Sequence, residues 1–425
     1  MTAIAKPLLS FSEFARGVRV ETAFDVLAVA RRLKSAGKRV IELEIGDSPF
    51  PSTAAAKAAG VEAIRNDLSH YCPSVGIDEL RRAASAYVNR EHGLATTAAN
   101  IVVGPGAKVF ELFFCEAFLD PGDGVLVFSP HFPTYLPNIA RRGARVWLAD
   151  LKQEREFRPD LNEVERFLRD DPRPKAIFLN SPHNPTGGVA TDDDLAGLAE
   201  AVRGRDVAVF SDEPYDQMVW RGRHRTLLSQ PGMMRQCVAA YTFSKSYSMS
   251  GWRLGFAVAC PEVVERFSTL LNTSLSCVAP LVQLAGAAAL DHDAGERDRT
   301  MRLFQGKVEL LARGLNQIEG IHCLAPAATF YAFPNVAAIC NRLGLTSQGL
   351  AMFLLEAADD CLGVACLGGE SFGAAGAGFL RFSCAEPDER LEEALDFLPR
   401  AFSQIRRAEE YLAAHPQFRL TKPMA

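Results

Sequence analysis

A lysine and an arginine stand eight residues apart in the segment TFSKSYSMSGWRLG at 242–255. Taken alone, Lys245 among serines reads as a solvated surface residue. Arg253, however, lies in a Gly-Trp-Arg-Leu-Gly run whose glycines permit close approach of the backbone, so an amine and a guanidinium could flank one ligand. An aldehyde that carries a phosphate would use both groups, because a desolvated lysine forms a Schiff base and arginine binds phosphate oxygens.

A carboxylate and a phenol follow a buried-looking strand in the segment SDEPY at 211–215. Asp212 could be a helix cap or a solvated turn residue, and Tyr215 could be a core residue. Beside a pyridine ring, the Asp212 carboxylate would instead keep the ring nitrogen protonated and make the ring an electron sink. Tyr215 and Asn184, the latter in the turn signal NPTG, could reach the phenolic oxygen of such a ring.

Two further segments point to the same kind of ligand. In GPGAKVFELF, Gly106, Ala107 and Lys108 open an amphipathic helix, and the backbone amides at a helix start bind anions. Lys108 could equally be a solvated residue of the first turn, where a cation opposes the positive end of the helix. Phe132 in SPHFPTY could stack on a flat ring, although Phe is far more often a core residue.

The elements that position these residues follow from the hydrophobic pattern. A helix is predicted at 23–36 and ends at Gly37; strands and helix-length segments then alternate, which predicts an α/β fold with a mainly parallel sheet covered by helices. Such sheets bind ligands at the carboxyl ends of their strands, and four of the loops described above lie there. The predicted strands are 40–45, 101–103, 125–128, 146–148, 176–179 and 207–210.

The pattern changes after about residue 300. A long helix at 302–318, short strands around 330–333 and a glycine-rich stretch, LGGESFGAAGAG, predict a smaller α+β domain. Two domains are also expected from length, because single cores stop growing beyond roughly 250 to 300 residues. We assign 1–45 to an N-terminal segment that packs on the small domain, 46–300 to a large ligand-binding domain and 301–425 to the small C-terminal domain.

Composition excludes several classes of protein. An apolar share of 48%, a charged share of 23% and a net charge of −5 are typical of a globular protein and not of a nucleic-acid-coating one. No apolar stretch before residue 18 resembles a secretory signal. The longest apolar stretch of the whole chain, at 274–290, falls short of the roughly 20 residues of a membrane span. Ten scattered cysteines without metal-binding spacing favour the reducing cytoplasm and give no metal site.

The order and spacing of these motifs together resemble the class I/II aminotransferases of fold type I, and in particular the prokaryotic-type aspartate aminotransferases. The resemblance runs from about residue 19 to residue 400. It is carried by YCPSVGIDELRRA at 71–83, LDPGD at 119–123, NPTG, SDEPY, SKSYSMSGWRLG and GESFGAAGAGFLRFS. It implies a homodimeric enzyme that depends on pyridoxal 5′-phosphate, held in the large domain.

The resemblance also implies a role for each matching residue. Lys245 would hold the cofactor as a Schiff base and move a proton between the substrate α-carbon and the cofactor, and Asp212 would pair with the ring nitrogen. The remaining contacts to the cofactor would come from Asn184 and Tyr215 at the phenolic oxygen, Phe132 stacked on the ring, and Thr242, Arg253, the amides of Gly106, Ala107 and Lys108, and Tyr71 of the partner subunit at the phosphate.

On the substrate side, the resemblance implies that Arg381 in FLRFS grips the α-carboxylate, together with Asn184. Gly46 in EIGDSPF would lie at the edge of the substrate. Lys108 would help to recognise the distal carboxylate of a dicarboxylic substrate, so 2-oxoglutarate is the expected amino acceptor. A homodimer follows if Tyr71 acts across a subunit interface.

The sequence departs from the family pattern at two places. Residues 46–50 read GDSPF where Gly-x-Pro-x-Phe is common, and Val20-Glu21-Thr22 stands where the aspartate aminotransferases usually have Pro-Ser.

The leading interpretation is an aminotransferase that passes nitrogen from an amino acid to a 2-oxo acid by a ping-pong exchange. A β-lyase, a decarboxylase or a cyclising synthase would use the same cofactor residues and stays open as the alternative. A transcription regulator with this cofactor would need a DNA-binding domain, and only about 40 residues precede the large domain. A dehydrogenase is disfavoured because no G-x-G-x-x-G run opens a helix after the first strand.

Overall fold

Helices and strands alternate along most of the chain in the computed structural model, which describes residues 9–18 and 21–424. The α-helices are α1 Glu13–Gly17, α2 Thr22–Ser35, α3 Ala54–Arg65, α4 Asp78–His92, α5 Lys108–Phe118, α6 Tyr135–Arg141, α7 Leu161–Asp170, α8 Asp192–Val202, α9 Pro261–Ser274, α10 Pro280–His292, α11 Ala294–Leu315, α12 Ala337–Leu343, α13 Ser347–Glu356, α14 Asp388–Phe402 and α15 Ile405–Ala414. The strands are β1 Arg39–Glu42, β2 Ile101–Gly104, β3 Gly124–Ser129, β4 Arg145–Asp150, β5 Pro174–Asn180, β6 Ala208–Asp212, β7 Cys237–Thr242, β8 Gly255–Val258, β9 Tyr331–Ala332, β10 Leu362–Ala365, β11 Leu367–Gly368 and β12 Leu380–Ser383.

A seven-stranded sheet in the order β2-β8-β7-β6-β5-β3-β4 forms the centre of the larger part of the molecule. The strands from β7 to β4 are parallel, and β8 runs antiparallel between β7 and β2. Every residue of β2, β3, β7 and β8 is buried apart from Thr242, which is half-buried, as expected for strands that helices cover on both faces. The predicted α/β fold with a mainly parallel sheet is confirmed.

Alternate residues of each strand enter two separate cores, because successive side chains of a strand point to opposite faces. Ile177 of β5 belongs to one core, and the next residue, Phe178, belongs to the other. The second core is rich in phenylalanine from α5 and α9, including Phe110, Phe114 and Phe267. The sheet is therefore fixed from both sides, and its carboxyl edge is a rigid base for the loops that follow the strands.

The rest of the chain forms a three-stranded antiparallel sheet, β11-β12-β9, and the helices α11 to α15 around a third core. The long helix predicted at 302–318 is α11, which begins eight residues earlier, at Ala294, and ends at Leu315. Its first turns carry charged residues such as Glu296 and Arg297, which hide the apolar periodicity. Because α11 runs through residue 300, the boundary predicted there falls inside a helix, and the division into domains stays a prediction.

The strand predicted at 40–45 lies outside the central sheet. As β1, it pairs in parallel with β10 in a two-stranded sheet, with Val40 opposite Gly363. Helix α2 packs against β10, β11 and α13 as well as β1, so the described N-terminal residues contact the C-terminal part of the chain. Within the described ranges, no helix is both long and apolar enough to cross a membrane.

Candidate active site

A cavity of about 420 Å³ opens at the carboxyl edge of the large sheet, where Tyr331 and Arg381 of the smaller part face the strand ends. The structure brings together here most of the residues that the sequence singled out. The lining includes Gly46, Ala107, Lys108, Phe132, Asn184, Asp212, Tyr215, Thr242, Lys245, Arg253 and Arg381. Of the predicted site residues, Gly106 and Tyr71 are outside this lining.

Lys245 lies in the segment 243–254 that joins β7 to β8, which we call the lysine turn, and its side chain enters the cavity. Its Nζ donates a hydrogen bond to the carbonyl oxygen of Gly46 at 2.6 Å. The same nitrogen is 5.5 Å from the ring centroid of Phe330 and 5.7 Å from that of Tyr215. The amine is thus surrounded by protein groups, which contradicts the interpretation of Lys245 as a solvated surface residue.

Asp212 ends β6 and is buried at the base of the cavity. Its carboxylate accepts a hydrogen bond from the hydroxyl of Tyr135 at 2.5 Å, so Asp212 is neither a helix cap nor a solvated turn residue. Burial raises the pKa of Asp212 to about 6, although the Tyr135 hydrogen bond and the positive charges of Lys108 and Lys245 act to lower it. A carboxylate in this position would favour a cation, such as a protonated ring nitrogen, beside it.

Arg381 on β12 is 4% exposed, and its guanidinium lies 4.3 Å from the ring centroid of Tyr331 and 5.0 Å from that of Phe372. It donates to Asn184 Oδ1 at 3.0 Å and to the carbonyl oxygen of Glu44 at 2.5 Å. Within the described residues its Nε has no hydrogen-bond partner, and no carboxylate lies within ion-pair distance. A buried guanidinium without an anion is a receptor for one, because buried charges are normally paired.

The hydroxyl of Tyr215 lies 3.1 Å from the hydroxyl of Tyr331. Both side chains are buried, and both residues line the cavity together with Asn184. Burial, followed by the neighbouring hydroxyl of Tyr331, raises the pKa of Tyr215 well above its ordinary value. Tyr215 is therefore a neutral hydrogen-bond donor at neutral pH and not only a core residue.

The start of α5 and the end of the lysine turn lie together at one end of the cavity. Gly106 has φ +88°, and a side-chain carbon added there would lie 2.8 Å from Nη2 of Arg253, so glycine is required for this close approach. Arg253 donates to the carbonyl oxygens of Ser250 and Pro105 at 2.9 and 3.2 Å. The Thr242 hydroxyl and the amides of the α5 start complete a site that suits a phosphate.

The GDSPF segment packs onto the lysine turn. Ser48 Oγ lies 2.7 Å from Ser248 Oγ, and Ser52 donates to the carbonyl oxygen of Ser248 at 2.8 Å. A side chain at Gly46 would overlap the hydroxyl of Tyr331, which explains the glycine. This part of the chain therefore holds the Gly46 carbonyl against the amine of Lys245.

Lys108 lies at the mouth of the cavity, where its ammonium pairs with the carboxylate of Glu21. Its Nζ is also 5.2 Å from the ring centroid of Phe132, and Phe132 in turn packs edge-on against Tyr135. The Lys108 side chain is 46% exposed, but it is not freely solvated, since it is held between a carboxylate and an aromatic ring. Glu21 belongs to the second departure from the family pattern, Val20-Glu21-Thr22, of which Val20 lies outside the described residues.

Tyr71 is 89% exposed and does not contact the cavity of its own chain. Its predicted role concerns a second subunit, and that role stays a prediction.

Several residues at the site were not predicted from the sequence. Tyr135 and Tyr331 are within reach of Asp212 and Tyr215, but no local pattern distinguishes them from core tyrosines. Glu111 did have a signal, because it interrupts the apolar face of KVFELFFCEAF. It is buried, accepts from the Thr134 hydroxyl at 2.5 Å, and its pKa is raised well above the usual range by burial and then by the charge of Asp212.

On the side of the Asp212 loop facing away from the cavity, Glu213 lies in a second buried polar cluster. Burial opposes its ionisation, but the charge and hydrogen bond of His224 hold the pKa of Glu213 below its ordinary value. Glu213 accepts from Ser211 Oγ at 2.7 Å, Thr226 Oγ1 at 2.8 Å and the Tyr241 hydroxyl at 2.7 Å, and lies 2.8 Å from His224 Nε2. The side chains of Asp212 and Glu213, which are adjacent in sequence, thus lie on opposite sides of the loop: Asp212 faces the cavity, and Glu213 faces the buried polar cluster.

Asp216 extends this cluster to helix α4. It accepts from the hydroxyl of Tyr87 and lies 3.1 Å from His92 Nε2. Burial alone would lower the pKa of His92, but the hydrogen bond and charge of Asp216 outweigh burial and raise it. The loop that carries Asp212 and Tyr215 is therefore held, on the side away from the cavity, by buried hydrogen bonds between histidines and carboxylates.

Comparison with known proteins agrees with this geometry. The family model "Aminotransferase class I and II" matches residues 38–398. The chain is 34% identical to a probable aspartate/prephenate aminotransferase of Aquifex aeolicus over 89% of this chain and 95% of that protein, and 30% identical to aromatic-amino-acid aminotransferase 2 of Thermococcus litoralis over 86% and 92%. The solved aspartate aminotransferase from Thermus thermophilus with maleate has a TM-score of 0.86 at 28% identity, covering 93% of this chain and 100% of that chain.

Proposed function

The chain belongs to the class I and II aminotransferases and is an enzyme that transfers amino groups with pyridoxal phosphate; we propose that 2-oxoglutarate is its amino acceptor and that the two substrates react in turn, by a ping-pong exchange, in the cavity around Lys245. The observation that carries this proposal is the joint presence in one cavity of a sheltered amine, a buried carboxylate and a buried guanidinium without an anion.

The residues present fit the cofactor. Arg253, the Thr242 hydroxyl and the amides of residues 106–108 suit its phosphate, and the absence of a side chain at Gly106 lets the Arg253 guanidinium lie beside those amides. Asp212 suits the protonated ring nitrogen, and Phe132 offers a ring face at the cavity wall. When bound, pyridoxal phosphate supplies an aldehyde and a ring that withdraws electrons from the substrate α-carbon.

We assign two functions to Lys245. Its amine is the one that would hold the cofactor, and once freed by the incoming amino acid it is the base that moves a proton at the α-carbon. Asp212 would keep a proton on the ring nitrogen, because a buried carboxylate disfavours loss of that positive charge. Tyr215 and Asn184 would donate to the phenolic oxygen of the cofactor, and the residues around the amine would shield it from water.

Arg381 is the proposed receptor for the α-carboxylate of both substrates. Its position between Tyr331 and Phe372 fixes the plane of the guanidinium, and a planar fork binds a carboxylate by two parallel hydrogen bonds. Asn184 Oδ1 accepts a hydrogen bond from Nη1 of Arg381. Gly46 lines the same cavity. The α-carbon is thereby placed near the Lys245 amine.

For the acceptor, the proposal depends on Lys108. Its ammonium lies at the mouth of the cavity that Arg381 also lines, and so could bind a second carboxylate. Several relatives bear the name aspartate aminotransferase, and the T. thermophilus neighbour was solved with maleate, a dicarboxylate. A dicarboxylic 2-oxo acid matches two cationic residues, Lys108 and Arg381, in one cavity.

We further propose a homodimer in which Tyr71 reaches the phosphate of the partner subunit. Beside the exposed Tyr71, helix α3 presents Val61 and Ile64, and Leu68 follows it, all of them exposed and apolar. Such a patch on one face of a chain marks a protein interface. The scattered cysteines favour a reducing compartment, and we place the enzyme in the cytoplasm.

The test is to incubate the purified holoenzyme with each common amino acid and follow the change in cofactor absorbance to the amine form. We expect conversion with glutamate or aspartate and with at least one neutral or aromatic amino acid. Addition of 2-oxoglutarate should then restore the original spectrum and release glutamate. Formation of ammonia with pyruvate, or of carbon dioxide, without conversion of the cofactor would replace this proposal with a lyase or a decarboxylase.

A further inference from the structure

Glu21 is the N-cap residue of α2, the position immediately before the helix where a Ser, Thr, Asp or Asn side chain commonly bonds to the first backbone amides. The Glu21 side chain makes no such bond. Its carboxylate extends across the cavity mouth to the ammonium of Lys108 at the start of α5. The exposed fractions of the two side chains are 19% for Glu21 and 46% for Lys108, so the pair is partly shielded from water.

Three charged residues of the cavity lining are left over by the cofactor and the α-carboxylate: Glu21, Lys108 and Glu111. Glu111 is buried and its pKa is raised well above the usual range, so Glu21 and Lys108 are the charged pair that remains. Under the proposed function, Asp212, Lys245 and Arg253 are engaged by the cofactor and Arg381 by the α-carboxylate. Next to Glu21 the cavity is lined by Ala23 and Phe24, and next to Lys108 by Phe132. The compartment for the substrate side chain is therefore apolar, with one internal ion pair of zero net charge.

We infer that Glu21 is a specificity-determining residue: its carboxylate occupies on Lys108 the place that the distal carboxylate of a dicarboxylic substrate would take, and it thereby weakens the binding of acidic substrates relative to neutral and aromatic ones. This inference rests on the proposed function of the cavity. An acidic substrate must displace the Glu21 carboxylate from Lys108. The Glu21 carboxylate then stays close to the substrate carboxylate without its positive partner. A neutral or aromatic side chain leaves the ion pair closed and lies against Phe24 and Phe132.

The physical basis is competition between two carboxylates for one ammonium. A partly exposed ion pair stabilises by only a small amount, and a carboxylate left beside a ligand of like charge adds a further cost. Removal of the Glu21 charge removes both costs for an acidic ligand. We expect a tightening of roughly threefold to tenfold, since the pair is shielded only in part.

The test uses binding and does not require turnover. Holoenzyme is titrated by calorimetry with maleate, a dicarboxylate, and with hydrocinnamate, an aromatic monocarboxylate; neither carries an amino group. Glu21→Gln should lower the ratio of the maleate to the hydrocinnamate dissociation constant roughly threefold to tenfold. Asp25→Asn is the matched control, because it removes one negative charge from the same helix at an exposed position outside the cavity lining; it should change the ratio by less than about twofold.

A double-variant cycle identifies the partner. In a Lys108→Ser background, Glu21→Gln should no longer tighten maleate binding by more than about twofold, because the ammonium that the two carboxylates share is gone. An unchanged ratio in Glu21→Gln, or an equal tightening without Lys108, overturns the inference. The proposed function is checked separately: if no amino acid converts the wild-type cofactor to its amine form, the function fails and the binding result stands.

Discussion

The amine of Lys245 touches the Gly46 carbonyl and faces two aromatic rings, which is where an aldehyde would have to meet it. Lys245→Ala should therefore give a folded protein that borohydride can no longer link to pyridoxal phosphate. Mass spectrometry of the reduced wild type should place the adduct on Lys245. The same change at the exposed Lys152 should leave the linkage intact, and an adduct on any other lysine would reject the assignment.

Asp212 can be tested with an almost isosteric change. Asp212→Asn should still bind the cofactor but lose turnover by a factor on the order of 10² to 10³, the usual loss for one preorganised electrostatic contact at an active site. The reason is that a neutral amide no longer holds a proton on the ring nitrogen. Cofactor content by absorbance and turnover with saturating substrate should be measured together; full occupancy with near-normal turnover would exclude this role.

Motifs predicted the site residues that lie in short, unusual segments, such as Lys245, Asp212 and Asn184. They did not predict Tyr135 or Tyr331, because each reaches the cavity only through the packing of a distant element. Glu21 illustrates the difference. The sequence showed an unusual residue at this position, but only the structure shows that its partner is Lys108, 87 positions away.

At the scale of elements, the pair His92 and Asp216 holds the loop that follows β6 against the end of α4. Because the pKa of folded His92 is raised, its stabilising contribution is fully present below the unfolded value of about 6.5 and is lost as pH rises through the folded pKa. His92→Gln should thus lower the thermal midpoint of the protein more at pH 6 than at pH 9. Calorimetry of the wild type and the variant at both pH values measures this difference.

The control for this prediction is His322→Gln, at an exposed position. Its effect on the midpoint should be small at both pH values. A His92→Gln deficit that is equal at pH 6 and pH 9 would show that the buried cluster contributes packing and hydrogen bonds but no pH-dependent charge pair.

The positions of most elements followed from local patterns, as with the strand predicted at 176–179 and observed as Pro174–Asn180. The pairing of strands did not follow from local patterns. Neither the antiparallel β8 between β2 and β7 nor the pairing of β1 with β10 has a local signal, because both depend on which distant strand completes the backbone hydrogen bonds. The early start of α11 was missed because a buried arginine, Arg297, lies on its inner face.

At the scale of the whole molecule, the proposed dimer predicts that two defective subunits can complement each other. Tyr71→Ala and Lys245→Ala subunits, mixed by unfolding and refolding or by co-expression, would form about one half mixed dimers, each with one native site. At limiting cofactor, the mixture should regain about a quarter of wild-type activity, because one site in two is then intact in those dimers. No gain above the separate variants would place Tyr71 outside the partner's site.

The pairing of β1 with β10 also affects the order in which parts of the chain fold during synthesis. Strands β2 to β8 and the helices between them lie within residues 101–258, so the central sheet can close while later residues are still being synthesised. Strand β1 leaves the ribosome first, yet its hydrogen-bonding edge stays open until more than 300 further residues have followed. Contacts of such long sequence separation form late, and domains generally fold as units during synthesis. The carbonyl that meets the Lys245 amine, at Gly46, follows β1 directly, so the active site would be one of the last parts of a new chain to become complete.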